Sequence, residues 1–217
     1  GEVLRKLLSQ LINLPKSEET IWMLPEAMKR ETSVQREAFG LLAGPWMGKD
    51  RRRGVPYIWT VSHLADCRGL ASPRSFLAAI EQAVEDSAER YPEHNYALHY
   101  ESIKRGIQEA SKIRVDEVAE DYPWVKSVLG ALEGLNVPIE FSEIKNRWEE
   151  KFVDGVDSIE NNQQLPAQHE KQRWEGIQED LQRLGMLETK KDNRVDMPDL
   201  YRVGFKLGRR GGVRPIK

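Results

Sequence analysis

The chain has little cysteine, no long apolar run and no complete catalytic motif. Cys67 is the single cysteine among 217 residues, which excludes a disulfide framework and a cysteine-based zinc site and fits a reducing cytoplasm. No apolar stretch approaches the roughly 18 residues that a membrane-spanning helix needs. Residues 1–20 also lack the charged-then-apolar plan of a signal peptide. We therefore expect a cytoplasmic protein without a membrane partner.

A phosphate-binding loop is also missing. The nearest match, at 43–50, has Ala43 in place of the first glycine, Pro45 removing a backbone donor and Asp50 in place of the hydroxyl residue. The four histidines show no metalloprotease spacing, and no Gly-x-Ser-x-Gly elbow occurs. We predict no catalytic residue, no metal site and no cofactor in this chain, and we do not expect it to be an enzyme by itself.

The sequence does contain helical periodicity and enough apolar residues to form a core. Hydrophobic residues make up 39% and charged residues 31% of the chain, at a net charge of −2, which excludes disordered and collagen-like classes. We predict a mainly α fold of two domains, a helical region over 1–120 and a second domain over 121–217. The pattern predicts helices at 2–13, 26–39, 96–111 and 114–121, and another beginning after Ser72. The β-branched and aromatic run 55–61 predicts one short strand.

The second domain follows the element order of a winged helix. Three predicted helices, at 124–135, from Ser142, and at 168–184, are followed by two short strands at 186–189 and 194–197. Gly185 is the expected C-cap of the third helix. Trp148 and Trp174 are expected in one core with the apolar residues of the same helices. We therefore predict three helices and a β-hairpin, followed by a basic tail.

Arg74 is the first candidate binding residue. It lies in the first turn of a helix predicted to begin at Ser72-Pro73, where backbone N–H groups and the helix dipole favour an anion. A guanidinium placed there suits a phosphate contact. The alternative is an arginine that packs across the helix start and pairs with a nearby carboxylate.

Two further basic segments are candidates. The loop containing Arg51, Arg52 and Arg53 is flanked by glycines and is interpreted either as a phosphate contact or as a solvated turn. From Arg202 to Lys217 the chain has six basic residues and no acidic one. The predicted nucleic-acid contacts are Lys190, Lys191, Arg194, Arg202, Arg209 and Arg210. Tyr201 and Phe205 would either stack on bases or pack on the hairpin.

Two stretches resemble a known family. Residues 39–85, with Pro56-Tyr57-Ile58-Trp59 and Ser72-Pro73-Arg74-Ser75-Phe76, resemble the passage from nucleotide-binding domain to helical lid in bacterial P-loop ATPases of the AAA+ and STAND-like kind. In such ATPases a lid arginine called sensor 2 touches the γ-phosphate, and Arg74 is the matching position. Residues 124–212 resemble the winged helix that often follows the lid.

The resemblance implies a C-terminal regulatory portion of a larger ATPase. Because the phosphate loop is absent, ATP and magnesium would belong to the full-length parent, and the start at Gly1 inside an amphipathic run is expected of a fragment. The winged helix would contact DNA. The alternative is a protein-interaction module that binds the parent's own ATPase domain or another protein. An unrecognised enzyme is the least favoured class.

Overall fold

The computed structural model describes residues 31–159, 166–169, 173–210 and 213–215. Within these residues the fold is mainly α, which confirms the predicted class. The predicted helix at 2–13 lies outside the described residues. The helices are α1 Thr32–Ala43, α2 Pro56–Leu64, α3 Pro73–Arg90, α4 Tyr100–Asp121, α5 Pro123–Gly130, α6 Phe141–Lys151, α7 Arg173–Arg183 and α8 Asp199–Arg202. The strands are β1 Asn136–Val137, β2 Glu188–Thr189, β3 Val195–Asp196 and β4 Gly208–Arg209, and 3₁₀ turns occupy Arg51–Arg53 and Gly155–Ser158.

The chain is organised in two compact units that do not follow each other in sequence. The described part of the first unit comprises 31–62 and 76–106. The second unit comprises 63–75 and the chain from Ile107 onward. The sequence had instead suggested a division in chain order at 120/121, because contacts between distant segments leave no compositional mark.

The first unit is built around aromatic and small apolar side chains. Its buried cluster consists of Phe39, Ala43, Met47, Ala83, Leu98 and Ile103. The Phe39 ring meets Tyr57 edge-on at a centroid distance of 5.8 Å. Helices α3 and α4 approach closely at Gly106, where an added Cβ would lie 2.1 Å from the carbonyl oxygen of Ala79. Only glycine fits this crossing.

The strand predicted at 55–61 is wrong, because these residues form most of helix α2. Pro56 occupies the first helical position, where its missing N–H costs nothing. The hydroxyl of Thr60 donates to the carbonyl of Pro56 at 2.8 Å. Pro56, Thr60 and Leu64 are all buried, and their four-residue spacing is that of a helix face. Packing on this face overrides the strand preference of the β-branched residues.

The helices predicted at 96–111 and 114–121 are one continuous helix, α4. No proline or glycine separates Ser111 from Arg114, so nothing in this stretch stops the helix. The chain enters α4 through His99, whose Nδ1 accepts a hydrogen bond from the backbone N–H of Glu101 at 3.2 Å. His99 therefore satisfies one of the N–H groups that a helix start leaves without a partner.

The second unit contains α5, α6 and α7, followed by the antiparallel pair β2–β3. Ile139, just before α6, forms a bridge to Val195 of β3. The predicted core residues are all buried: Trp124, Val128, Leu132, Ile144, Trp148, Trp174, Ile177, Leu181 and Leu187. Gly185 follows α7 at φ 77°, a left-handed conformation that suits glycine.

Two tryptophans join helices α5, α6 and α7. Trp148 of α6 and Trp174 of α7 pack with ring centroids 5.4 Å apart. The indole N–H of Trp148 donates to the carbonyl of Val128 in α5 at 2.8 Å. The core thus buries the apolar surface of Trp148 and also provides an acceptor for its indole N–H.

Residues 202–209 of the segment predicted as a basic tail are part of the packed structure. Tyr201 and Phe205 are buried at 2% and 5% exposure, so neither ring is available to stack on bases. Strand β4 pairs in parallel with β1, with Asn136 opposite Gly208. Gly204 lies against Ser111 and Val115 of α4 too closely for a Cβ. Residues 199–209 therefore complete the second unit.

Candidate functional site

Arg74 lies in the first turn of α3, as predicted, and it is engaged by a carboxylate. Its Nη1 donates to Oε1 of Glu117 in α4 at 2.9 Å. The Arg74 side chain is 77% exposed and that of Glu117 is 24% exposed. The alternative interpretation from the sequence, an arginine paired with a nearby acid, describes this arrangement. A phosphate contact would have to replace the carboxylate.

Glu117 is shared with a second arginine that the sequence analysis missed. Arg114, one turn earlier on α4, donates from Nη1 to Oε2 of Glu117 at 3.2 Å, so each carboxylate oxygen has its own guanidinium. Arg114 also lies near the buried Tyr201. The i,i+3 spacing of Arg114 and Glu117 was visible in the sequence, but their convergence on Arg74 is tertiary.

The charges of this cluster reinforce each other. Partial burial favours the neutral form of Glu117, but hydrogen bonds and charge from Arg74 and Arg114 outweigh it and lower the pKa of that carboxyl. Burial likewise opposes the charge on Arg114, yet Tyr201 and Glu117 raise the pKa of its guanidinium. All three groups are charged at neutral pH, with a net charge of +1.

The loop residues Arg51, Arg52 and Arg53 form an exposed 3₁₀ turn. The Asp50 side chain caps the turn by accepting from the backbone N–H of Arg52 at 2.9 Å. This cap explains the turn but identifies no ligand. Both interpretations of the loop, phosphate contact and solvated turn, stay open.

The predicted wing residues are largely neutralised by neighbouring acids. Lys190 pairs with Glu188 and, at 3.3 Å, with Asp196. Arg194 pairs with Asp192 of the same turn at 2.6 Å. Lys191 is exposed. A polyanion would therefore meet paired charges over most of this hairpin.

Arg202 is a correction, since it cannot contact nucleic acid from its position. Its side chain is fully buried. Its Nε donates to Oδ1 of Asp199 at 2.8 Å, and its Nη groups donate to the carbonyls of Leu207 and Val213. The guanidinium thus fixes the path of the chain beyond α8. A buried arginine of this kind is held by ion pairing and by several acceptors.

Arg209 extends the same network. Its Nη1 donates to Asp199 at 3.0 Å, and its Nη2 donates to Asp196 and to the carbonyl of Met197. The Arg209 side chain is 25% exposed. His63 Nε2 approaches the other oxygen of Asp199 at 3.5 Å. The sequence analysis missed Asp196 and Asp199, although Asp199 and Arg202 stand at i,i+3.

Of the six residues predicted to contact nucleic acid, the structure gathers three into these ion networks. Lys190 and Arg209 meet at Asp196, and Arg209 and Arg202 meet at Asp199. Arg210 is exposed. Exposed positive charge on the second unit is therefore smaller than the residue count from 190 to 217 suggested.

Helix α7, the last of the three helices α5, α6 and α7, carries mixed charge. Glu175 pairs with Lys145 of α6 at 2.9 Å, and Glu179 pairs with Arg183 at 3.2 Å. The buried Asp180 accepts from the backbone N–H groups of Gln168 and His169. This helix presents no basic stripe of the kind that follows a nucleic-acid backbone.

Cys67 is half-buried. Burial raises the pKa of its thiol, and the charges of Asp66 and Glu188 add to this effect, so the thiolate is disfavoured at neutral pH. Its backbone N–H donates to the carbonyl of Gly185 at 3.0 Å. Cys67 is thus a small, partly buried thiol rather than an activated nucleophile.

The described residues offer neither a metal-binding cluster nor a membrane-spanning helix. No group of three histidine, cysteine or acidic side chains with the geometry of a metal site occurs within 31–159, 166–169, 173–210 and 213–215. In the same part of the chain, no helix has both the length and the apolar composition needed to cross a membrane. The strongest constellations are thus the Arg74–Glu117–Arg114 cluster and the ion network around Asp199.

Comparison with known proteins adds no relative, since no family model, no curated protein and no solved structure matches this chain.

Proposed function

We propose that this chain is a non-catalytic regulatory portion of a P-loop ATPase, in which a winged-helix module binds a protein partner. The order α5, α6, α7, β2, β3 and the bridge from Ile139 to Val195 support the winged-helix interpretation. Arg74 in the first turn of a helix supports the lid interpretation. ATP and magnesium would bind in the parent's nucleotide-binding domain, and the protein would act in the cytoplasm.

A single observation favours a protein partner over DNA. Of the predicted DNA contacts, Arg202 is enclosed, while Lys190, Arg194 and Arg209 are already paired with carboxylates. Affinity for DNA depends on cations that neutralise phosphates. Cations paired with Asp196 and Asp199 contribute less to that term, because a phosphate must compete with a carboxylate that is already bound to them.

The mixed-charge face of α7 suits a protein surface. Exposed Glu175 and Arg183 alternate in sign along it, which favours a partner with complementary charges of both signs. The parent's own ATPase domain is the partner that the resemblance supplies. Binding there would let the module restrain or release nucleotide turnover.

DNA binding is tested by fluorescence anisotropy with a labelled duplex and the same strand single, at about 50 mM salt, where charge contacts are strongest. We expect dissociation constants above about 100 μM for both the duplex and the single strand. Tighter non-specific complexes need a basic surface that is free to neutralise phosphates. Micromolar binding that weakens steeply with salt would restore the DNA alternative. The loss of that binding in Lys191→Ala with Arg210→Ala would then locate it on the exposed cations.

The ATPase context has its own test. The coding sequence upstream of Gly1 should contain a phosphate loop and a strand ending in acidic residues. In that parent, replacing the exposed Glu175 and Arg183 of α7 by alanine should change ATP turnover without added DNA, and supplying the unchanged chain in trans should reverse the change. An upstream sequence without a phosphate loop would overturn the proposal.

A further inference from the structure

We propose that the turn formed by residues 49–53 of the first unit, here named the basic turn, is a docking surface for an acidic peptide segment of a partner protein. The basic turn consists of Lys49, Asp50, Arg51, Arg52 and Arg53. The inference goes beyond the proposed function, because it concerns the first unit and does not depend on what the winged-helix module binds.

The cations of the basic turn are exposed and have no anionic partner among the described residues. The cations of the β2–β3 hairpin differ in this respect, since Lys190 pairs with Asp196 and Arg194 pairs with Asp192. A carboxylate that approaches the basic turn therefore finds donors that no carboxylate of the described chain already occupies.

The backbone of the basic turn is held in place by hydrogen bonds. The buried Met47 donates its backbone N–H to the carbonyl of Gly54 at 2.9 Å, which closes the loop at its base. The N–H of Arg53 donates to the carbonyl of Asp50 at 3.1 Å, and the Asp50 side chain accepts from the N–H of Arg52 at 2.9 Å. The one acid of the turn thus serves its backbone. A frame fixed in this way reduces the conformational entropy that is lost on binding.

The direction of the three arginines favours a flexible acidic peptide over a nucleic acid. Residues 51–53 form one 3₁₀ turn, in which successive side chains leave the axis about 120° apart. A stiff duplex presents its phosphates along a line and meets only part of such a cluster, whereas a peptide can place neighbouring carboxylates around it. Guanidinium forks match carboxylates in planar, bidentate geometry, and arginine clusters are a recurrent means of recognising acidic motifs.

The test is fluorescence anisotropy of the full chain with a labelled peptide of about eight glutamates, at about 50 mM salt. The glutamine peptide of the same length is the probe control and should not bind. Replacing the three arginines of the basic turn by glutamine should weaken binding of the glutamate peptide by about tenfold or more, because three exposed ion pairs of a few-fold each multiply.

The matched control removes the same charge from exposed positions of the second unit, in the variant Lys126→Gln, Lys191→Gln and Arg210→Gln. Its affinity should stay within about twofold of the parent chain, since salt screens charges that lie away from the site. Circular dichroism checks that both variants fold. Equal losses in the two variants would overturn the proposal, because binding would then follow net charge alone. A parent chain that does not bind the glutamate peptide would overturn it as well.

A second pair of variants tests the frame of the turn. Asp50→Asn and Asp50→Ala change the charge equally, but only asparagine keeps an oxygen that can accept from the N–H of Arg52. We expect the asparagine variant to bind the glutamate peptide about threefold more tightly than the alanine variant, because its turn stays ordered. Equal affinities would refute the role given to the fixed frame.

The same proteins are titrated with a labelled single strand of about eight thymidylates, which should bind more weakly than the glutamate peptide because four cations are fewer than nucleic-acid sites commonly use. Tighter binding of the single strand, lost with the three arginines of the basic turn, would overturn the peptide assignment and make the turn a nucleic-acid surface. The winged-helix module contains none of these arginines, so this inference and the proposed function can fail separately.

Discussion

Arg202 and Asp199 form an ion pair inside the second unit, with Nε 2.8 Å from Oδ1 and the arginine entirely enclosed. The same guanidinium holds the carbonyls of Leu207 and Val213. One side chain thus anchors three points of the C-terminal segment.

The first prediction is that Arg202→Met lowers the free energy of unfolding of the second unit by roughly 3–5 kcal/mol. The change leaves a buried carboxylate with fewer donors and removes the arginine donors from the carbonyls of Leu207 and Val213. Breaking a buried pair in this way is costly. Urea unfolding followed by tryptophan fluorescence measures the loss. Arg210→Met, at an exposed position, is the control and should be neutral within about 0.5 kcal/mol. Equal midpoints for the two variants would refute the structural role of Arg202.

Trp148 gives the second prediction. Trp148→Ala should cost about 3–5 kcal/mol through the cavity it leaves. Trp148→Phe should cost less, about 1–3 kcal/mol, because it retains most of the apolar contact but leaves the carbonyl of Val128 without its donor. Thermal unfolding of both variants measures the order. Val153→Ala, at a side chain 88% exposed, should not shift the midpoint, and a shift as large as that of Trp148→Phe would contradict the assigned core.

The third prediction concerns the crossing of α3 and α4. Gly106→Ala would place a Cβ 2.1 Å from the carbonyl of Ala79, so the helices must separate, at a cost of about 3 kcal/mol or more. The control Gly130→Ala meets nothing within 4 Å and should be neutral or stabilising by up to about 1 kcal/mol. Chemical denaturation of both variants decides between them. Tolerance of Gly106→Ala would mean that the crossing is looser than described.

The fourth prediction is a pH dependence that arises at His99. Burial, with the nearby charge of His94, lowers the pKa of His99 below its ordinary value of 6.5. The unfolded chain therefore takes up this proton at a higher pH than the folded chain does. Stability should be constant above about pH 7.5, fall as the pH drops through 6.5, and level off below the folded pKa.

Protonation of His99 would also disturb the helix cap. The Nδ1 atom accepts from the N–H of Glu101, and protonation of that nitrogen removes the acceptor. His99→Asn keeps an acceptor without a titrating group, and its loss of stability between pH 8 and pH 5 should be smaller than that of the parent chain. Urea midpoints at the two pH values provide the measurement. Identical losses in both proteins would assign the pH dependence to other groups.

The sequence predicted the helical core of the second unit better than its surface. Trp124, Trp148, Trp174 and Leu187 are buried as the spacing indicated, because amphipathic periodicity reports directly which face is apolar. The run 55–61 misled because its β-branched residues indicate a strand, while the burial of Thr60 and Leu64 on one face was decided by distant packing. Composition alone could not distinguish these outcomes.

Charge was the least predictable property of the candidate sites. Counting cations from 190 to 210 treats Arg202 and Lys191 alike, although one is enclosed and the other is exposed. The difference depends on acids such as Asp199 and on carbonyls that only the folded chain brings near. For the same reason Arg74 was identified from its helix position, whereas its partners Glu117 and Arg114 were not.

The parallel pairing of β1 with β4 and the reach of Arg202 to Val213 also set an order of events during synthesis on the ribosome. Helices α5 to α7 can form and collapse as they emerge, because their contacts are local or nearly so. The Arg202 guanidinium, however, lacks its full set of acceptors until residue 213 has left the exit tunnel, and β1 stays unpaired until residues 208–209 have emerged. Translation that stalls before that point leaves a helical nascent chain with a solvated cation and an exposed strand edge, the kind of intermediate that chaperones recognise.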